Sequence, residues 1–170
     1  MEAVSFFELF LENLYQTTWF EAVAVIFGLL SVWYSKKVNI LVFPTGIVSV
    51  VIYMYITFFA GLYADTFINL VYFVMSVYGW YHWTHPQAGK SERPVRFASR
   101  TQNLMGLLAT LLSFVLMRFV LINYTDSNVP TIDALTTAIF ITGMWLMAVK
   151  KVENWIYWMV GDLISVPLYY

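Results

Sequence analysis

The chain has 170 residues, 61% of them hydrophobic and 11% charged, with a net charge of −1 and a mean hydropathy of +0.71. Soluble domains carry about 25% charged residues, so lipid is the solvent for this chain, and its near-neutral balance excludes nucleic acid as a partner. Without cysteine there are no disulfides, thiolate metal sites or cysteine nucleophiles.

Residues 1–18 form an N-terminal segment that carries Glu2, Glu8 and Glu12 where a cleavable signal would carry positive charge. Within it Phe6 to Tyr15 alternates apolar and acidic positions, which reads as a short interfacial helix or as a disordered tail. A helix needs about 20 apolar residues to cross the hydrocarbon. Six stretches qualify: Trp19–Tyr34, Ile40–Ala60, Tyr63–Trp83, Asn103–Ile122, Ile132–Ala148 and Trp155–Tyr170. The predicted fold class is therefore an all-α polytopic membrane protein. A three-helix unit over 19–83 precedes a basic loop at 84–102, a linker helix at 103–122, and a second unit at 132–170.

Charge sets the predicted orientation. Lys36 and Lys37 follow the first span, Lys90, Arg93, Arg96 and Arg100 the third, and Lys150 and Lys151 the fifth. The opposite loops carry Asp65, Asp126 and Asp133 and no basic residue; Arg118, in the fourth span, snorkels to its end. The positive-inside rule puts the basic loops in the cytoplasm and the N-terminus outside.

The segments Lys36-Lys37-Val38-Asn39 and Lys150-Lys151-Val152-Glu153-Asn154 open the second and sixth spans. Aligning Asn39 with Asn154 also aligns Gly46 with Gly161, Val51 with Val166 and Tyr55 with Tyr170, and Trp33 and Trp145 precede the two copies. The copies point the same way, as in the parallel repeats of small transporters. The second copy holds two helices where the first holds three, so a seventh helix is expected beyond Tyr170.

Polar groups in apolar spans mark candidate chemistry. Asn154, Trp158 and Asp162 share one face of the sixth span. A carboxylate beside an indole suits a flat cationic ligand, although a carboxyl hydrogen-bonded between helices is the plainer reading of Asp162. Asn154 follows Glu153 at the span's start and is expected to cap it. On the third span Asn69, Tyr72, Ser76 and Trp80 form a polar-aromatic stripe, either a ligand-facing wall or glue between helices. Trp145 is a further stacking candidate, and Glu21 lines an outer vestibule or anchors the first span. Trp83, Trp155 and Tyr81 are expected in interfacial belts. His82 and His85 lack a third ligand, so no metal is expected, nor a cofactor. No set of acid, base and nucleophile converges, which argues against an enzyme.

Trp19-Phe20-Glu21, Gly61-Leu62-Tyr63-Ala64-Asp65, Tyr78-Gly79-Trp80-Tyr81-His82-Trp83, Leu135-Thr136-Thr137-Ala138 and Glu153-Asn154-Trp155 together resemble the Pnu vitamin transporters, over nearly all of the chain beyond residue 18. The resemblance implies a three-one-three helix plan like that of the SWEET proteins and a homotrimer. It also implies facilitated diffusion of a vitamin (nicotinamide riboside, with thiamine as the alternative) that a kinase then traps as its phosphate. It carries ligand contacts onto Asn69, Trp158 and Asp162, while Met144 departs from the Gln common in the family. A non-transporting membrane scaffold, in which the polar groups only hold helices together, is the rival from another class.

Overall fold

The structure, a computed structural model, describes residues 18–86, 93–125 and 127–165. It contains α1 (Trp19–Lys36), α2 (Val42–Phe59), α3 (Tyr63–Thr84), α4 (Arg100–Tyr124), α5 (Pro130–Ala148) and α6 (Asn154–Ser165). The all-helical class and the six predicted helices are thus present. Phe6–Tyr15, Lys90, Asp126 and the positions of Val166 and Tyr170 lie outside the described residues.

Local chemistry fixes the ends of these helices. Thr18 caps α1: its hydroxyl accepts from the Glu21 N–H at 3.3 Å, and the Glu21 carboxylate accepts from the Thr18 N–H at 2.7 Å. Each group satisfies a donor that the first helical turn leaves orphaned. Ser99 and Gln102 repeat this capping box on α4, and Pro130 opens α5 where a missing N–H costs nothing.

Among the described residues α2, α4 and α5 are long and apolar enough to cross a membrane. The 18 residues of α1 span about 27 Å, but Glu21 and Lys36 stand near its ends, and α3 carries Asp65, Asn69 and His82. On α4, Leu104, Leu108, Leu112 and Val115 are each more than half exposed, as a lipid-facing surface requires. The buried core centres on α5, where Ala134, Ala138, Leu146 and Ala148 are almost fully covered. This helix packs against α3, α4 and α6, while α2 lies between α1 and α3.

The backbone repeats, at a register different from the one the sequence suggests. Six hydrogen bonds around the α1–α2 turn recur around the α5–α6 turn. Lys37 N–H to Trp33 O, Val38 N–H to Ser35 O and Asn39 N–H to Tyr34 O match Val149 to Trp145, Lys150 to Met147 and Lys151 to Leu146. Val42, Phe43 and Thr45 then match Asn154, Trp155 and Tyr157. Both turns end their helix with a residue in the left-handed region, Val38 at φ 53° and Lys150 at φ 56°, as a Schellman cap demands. The repeat distance is that between Ser35 and Met147, 112 residues. These two counterparts touch, Ser35 Oγ lying 3.5 Å from Met147 Sδ, as happens near the axis of a two-fold relation. The counterpart of Asn154 is thus Val42 rather than Asn39. The Lys-Lys-Val segments misled the alignment because the register is set by the cap carbonyls and by which residue is left-handed, Val38 in one turn and Lys150 in the other, and these do not align as Lys-Lys-Val does.

A strap ties the two units together at their basic end. Arg96 N–H donates to Lys150 O at 3.1 Å, and Val152 N–H to Arg96 O at 3.2 Å. The Ala98 N–H is shared by both Glu153 carboxylate oxygens at 2.9 Å, and the Arg93 guanidinium donates to His85 O at the end of α3, at 2.8 Å. Glu153→Ala should cost about 1–2 kcal/mol, since a hydrogen bond to a charged group is the stronger kind. Amide exchange at Ala98 should accelerate, while Glu153→Gln keeps an acceptor and most of the protection. Unchanged exchange in Glu153→Ala would show that the strap holds without the carboxylate.

Candidate functional site

Between the two units lies a cavity of about 150 Å³. Its walls come from Gly28 and Ser31 on α1; Val42, Phe43, Gly46, Ser49 and Val50 on α2; Tyr72 and Ser76 on α3; Met144 and Met147 on α5; and Trp158 on α6. Phe43 is buried, with its ring edge-on to Trp83 at 5.0 Å.

The indole of Trp158 is positioned by glycine. A Cβ on Gly143 would meet Tyr157 Cβ at 3.3 Å and Trp158 Nε1 at 3.5 Å, so the bare backbone of α5 lets α6 approach. Phe140 lies beside the indole, with ring centroids 5.3 Å apart and planes inclined by 30°.

The polar groups of the cavity fall into two sets. Ser31 Oγ donates to Val42 O at 2.8 Å, and Ser49 Oγ donates to Ala24 O at 2.9 Å, which ties α1 to α2. The Tyr72 hydroxyl, the Ser76 hydroxyl and the Trp158 indole N–H make no hydrogen bond with any described residue. Ser76 is buried and Tyr72 and Trp158 are partly buried, and three unpaired donors around one cavity suit a ligand that brings its own acceptors. Among the described residues no charged one lines the wall.

The structure thus brings Tyr72, Ser76 and Trp158 together and places the other expected residues elsewhere. Asn69 donates to Asp65 O at 2.9 Å, one turn back on its own helix. Trp80 is 41% exposed. Trp145 packs toward α4, its ring 3.8 Å from where a Cβ on Gly106 would stand. Glu21 is engaged in its cap. Asp162 is exposed on α6; its repeat counterpart Val50 lines the cavity. Asn154, expected as a cap, is buried and donates its side-chain amide to Lys151 O, while its Oδ1 has no partner among the described residues. Trp83, expected in a belt, turns inward: its indole donates to Ala148 O at 3.0 Å, and Lys150 Nζ lies 4.3 Å above its ring.

Sequence reasoning missed Gly28, Ser31, Gly46 and Ser49. Their signal was present: α1 and α2 each carry a glycine and a serine one turn apart, small residues of the kind that let membrane helices approach closely.

A family model described as nicotinamide mononucleotide transporter matches residues 18–170. The chain belongs to that family. It is 26% identical over 180 residues to the nicotinamide riboside transporter PnuC of Escherichia coli (strain K12), covering 91% of this chain and 75% of the relative. Its match to PnuC of Neisseria mucosa is also 26%, over 89% of this chain and 60% of that one. The riboflavin/roseoflavin transporter RibM of Streptomyces davaonensis is 26% identical over 88% of this chain and 71% of its own length. Among solved structures, the crystal structure of the vitamin B3 transporter PnuC superposes with a TM-score of 0.71 at 26% identity, covering 94% of this chain and 69% of the other. This member of the family is accordingly a multi-pass membrane transporter and not an enzyme.

Proposed function

We propose that the chain carries nicotinamide riboside across the inner membrane by facilitated diffusion, with the N-terminus outside and a kinase on the basic side trapping the product as its phosphate. The observation that carries this reading is the cavity that Trp158 shares with the unpaired hydroxyls of Tyr72 and Ser76. A pyridinium is flat and cationic, and an aromatic face attracts such a ring by about 0.5–2 kcal/mol depending on desolvation. The hydroxyls and the indole N–H then meet the carboxamide and the sugar, so polar groups on both partners end up paired.

Size points the same way. A cavity of about 150 Å³ matches one known to admit a single benzene ring. It holds one ring, and its open side leaves room for the sugar. Three copies assemble as a homotrimer, each with its own pathway.

Asp162 contributes charge rather than contact in this account, because its counterpart Val50 marks the level of the cavity. Asp162→Asn should lower affinity for nicotinamide riboside about tenfold, and leave unchanged the affinity for the reduced riboside, whose ring is neutral. Equal affinities in wild type and mutant would remove Asp162 from the site.

Uptake of labelled nicotinamide riboside into proteoliposomes tests the transport reading. Saturable uptake is expected without a proton or sodium gradient, with weak competition from thiamine and weaker from riboflavin. Uptake that requires an ion gradient would contradict facilitated diffusion, and stronger competition by either vitamin would reassign the substrate.

A further inference from the structure

We infer that Gly46 is a specificity-determining residue: its missing side chain keeps open a lane to the Ser76 hydroxyl, along which a ligand seated on Trp158 makes its polar contact. This rests on the reading of the cavity as a pyridinium-nucleoside site. Gly46 and Trp158 are repeat counterparts, and both line the cavity. The repeat has exchanged bulk between them. On α6 an indole stands against Gly143, and on α2 a glycine stands against Ser31.

Ser76 is the second observation. It is 3% exposed, yet its hydroxyl has no partner among the described residues. Hydroxyls in membrane helices ordinarily donate to the carbonyl one turn back. Thr57, Thr110, Thr142 and Ser165 do so here. Ser76 forgoes that bond and so holds its hydroxyl for another group, one able to pair with a donor and acceptor, such as a sugar hydroxyl or a carboxamide.

A methyl on Gly46 would stand 3.0 Å from Ser31 Oγ and 4.0 Å from Ser76 Oγ. Ser31 gives little way, because its hydroxyl is tied to Val42 O at 2.8 Å. The methyl would therefore rest against Ser76 and fill the approach to its hydroxyl.

The chain has no cysteine, so Ser76→Cys introduces a single thiol. Its rate of modification by a small methanethiosulfonate reagent reads the lane directly, whatever the substrate. Adding Gly46→Ala should slow that rate at least tenfold. Adding Ser31→Gly as well removes the atom 3.0 Å from the new methyl, which frees the methyl to move away from Ser76, and should restore part of the rate. In titrations with nicotinamide riboside, Ser76→Ala should weaken binding about fivefold and Gly46→Ala at least as much, and the double variant should lose no more than Gly46→Ala alone, because the two changes remove one contact. An unchanged modification rate, a thiol that never reacts, or additive losses would each overturn the inference. If wild type does not bind nicotinamide riboside while Gly46→Ala still slows modification, the substrate reading fails and the lane stands.

Discussion

Trp158→Ala should lower affinity for nicotinamide riboside about 30- to 100-fold, and Trp158→Phe less than about tenfold. The indole is the largest aromatic surface on the cavity wall, with Gly143 and Phe140 beside it. Removing it deletes the face that attracts the cation and one of the three unpaired donors. Phenylalanine restores a face but not the N–H, and phenylalanine rings attract cations less than indole does. The losses should appear as faster release rather than slower entry. Equal losses for the two substitutions would mean that Trp158 acts by filling space next to Phe140 and not by meeting the ligand.

Gly79→Ala should destabilise the bundle by about 3 kcal/mol and lower its thermal midpoint by roughly 6–12 °C for a chain of this size. A Cβ there would lie 2.3 Å from Phe43 Cε1, 2.6 Å from Phe43 Cζ and 3.1 Å from Ala148 Cβ. Neither neighbour can yield: Phe43 is 1% exposed and wedged against Trp83, and Ala148 is part of the α5 backbone wall. The three helices α2, α3 and α5 cross at this point, and the phenyl ring fills the notch that the glycine leaves. Pairing the substitution with Phe43→Leu removes the two clashing ring atoms and should recover about half of the loss. As a control, Gly106→Ala meets nothing nearer than 3.5 Å and should change the midpoint by no more than a degree or two. A Gly79→Ala protein as stable as wild type would show that the notch relaxes, and that the crossing is held elsewhere.

The helices were legible because lipid imposes its rule on every one of them. Although the capping boxes at Thr18 and Ser99 emerged only in the structure, apolar length was legible in the sequence. The register of the repeat was not, because it resides in backbone hydrogen bonds to Trp33, Tyr34 and Ser35 and in the left-handed turn, which residues as unlike as Val38 and Lys150 can occupy. Periodicity placed Asn69, Tyr72, Ser76 and Trp80 on one stripe, but a helix presents such a stripe to several neighbours along its length. Only the middle, Tyr72 and Ser76, meets the cavity. The opposite wall escaped notice for a different reason. Gly28 and Gly46 shape the site by what they lack, and a search for polar side chains does not find absent ones. Trp83 misled as a belt residue because its indole reaches the Ala148 carbonyl, a partner far away in sequence.

One single-ring cation is expected to bind in the cavity that Trp158, Tyr72 and Ser76 line. Calorimetric titration of the purified protein with nicotinamide riboside, and in parallel with thiamine and riboflavin, tests it most directly. Saturable heat with nicotinamide riboside at one site per chain, weaker with thiamine and absent with riboflavin, is the predicted result. Binding of riboflavin in preference to nicotinamide riboside would show that the cavity around Trp158, Tyr72 and Ser76 receives a larger ring system and is not a pyridinium-nucleoside site.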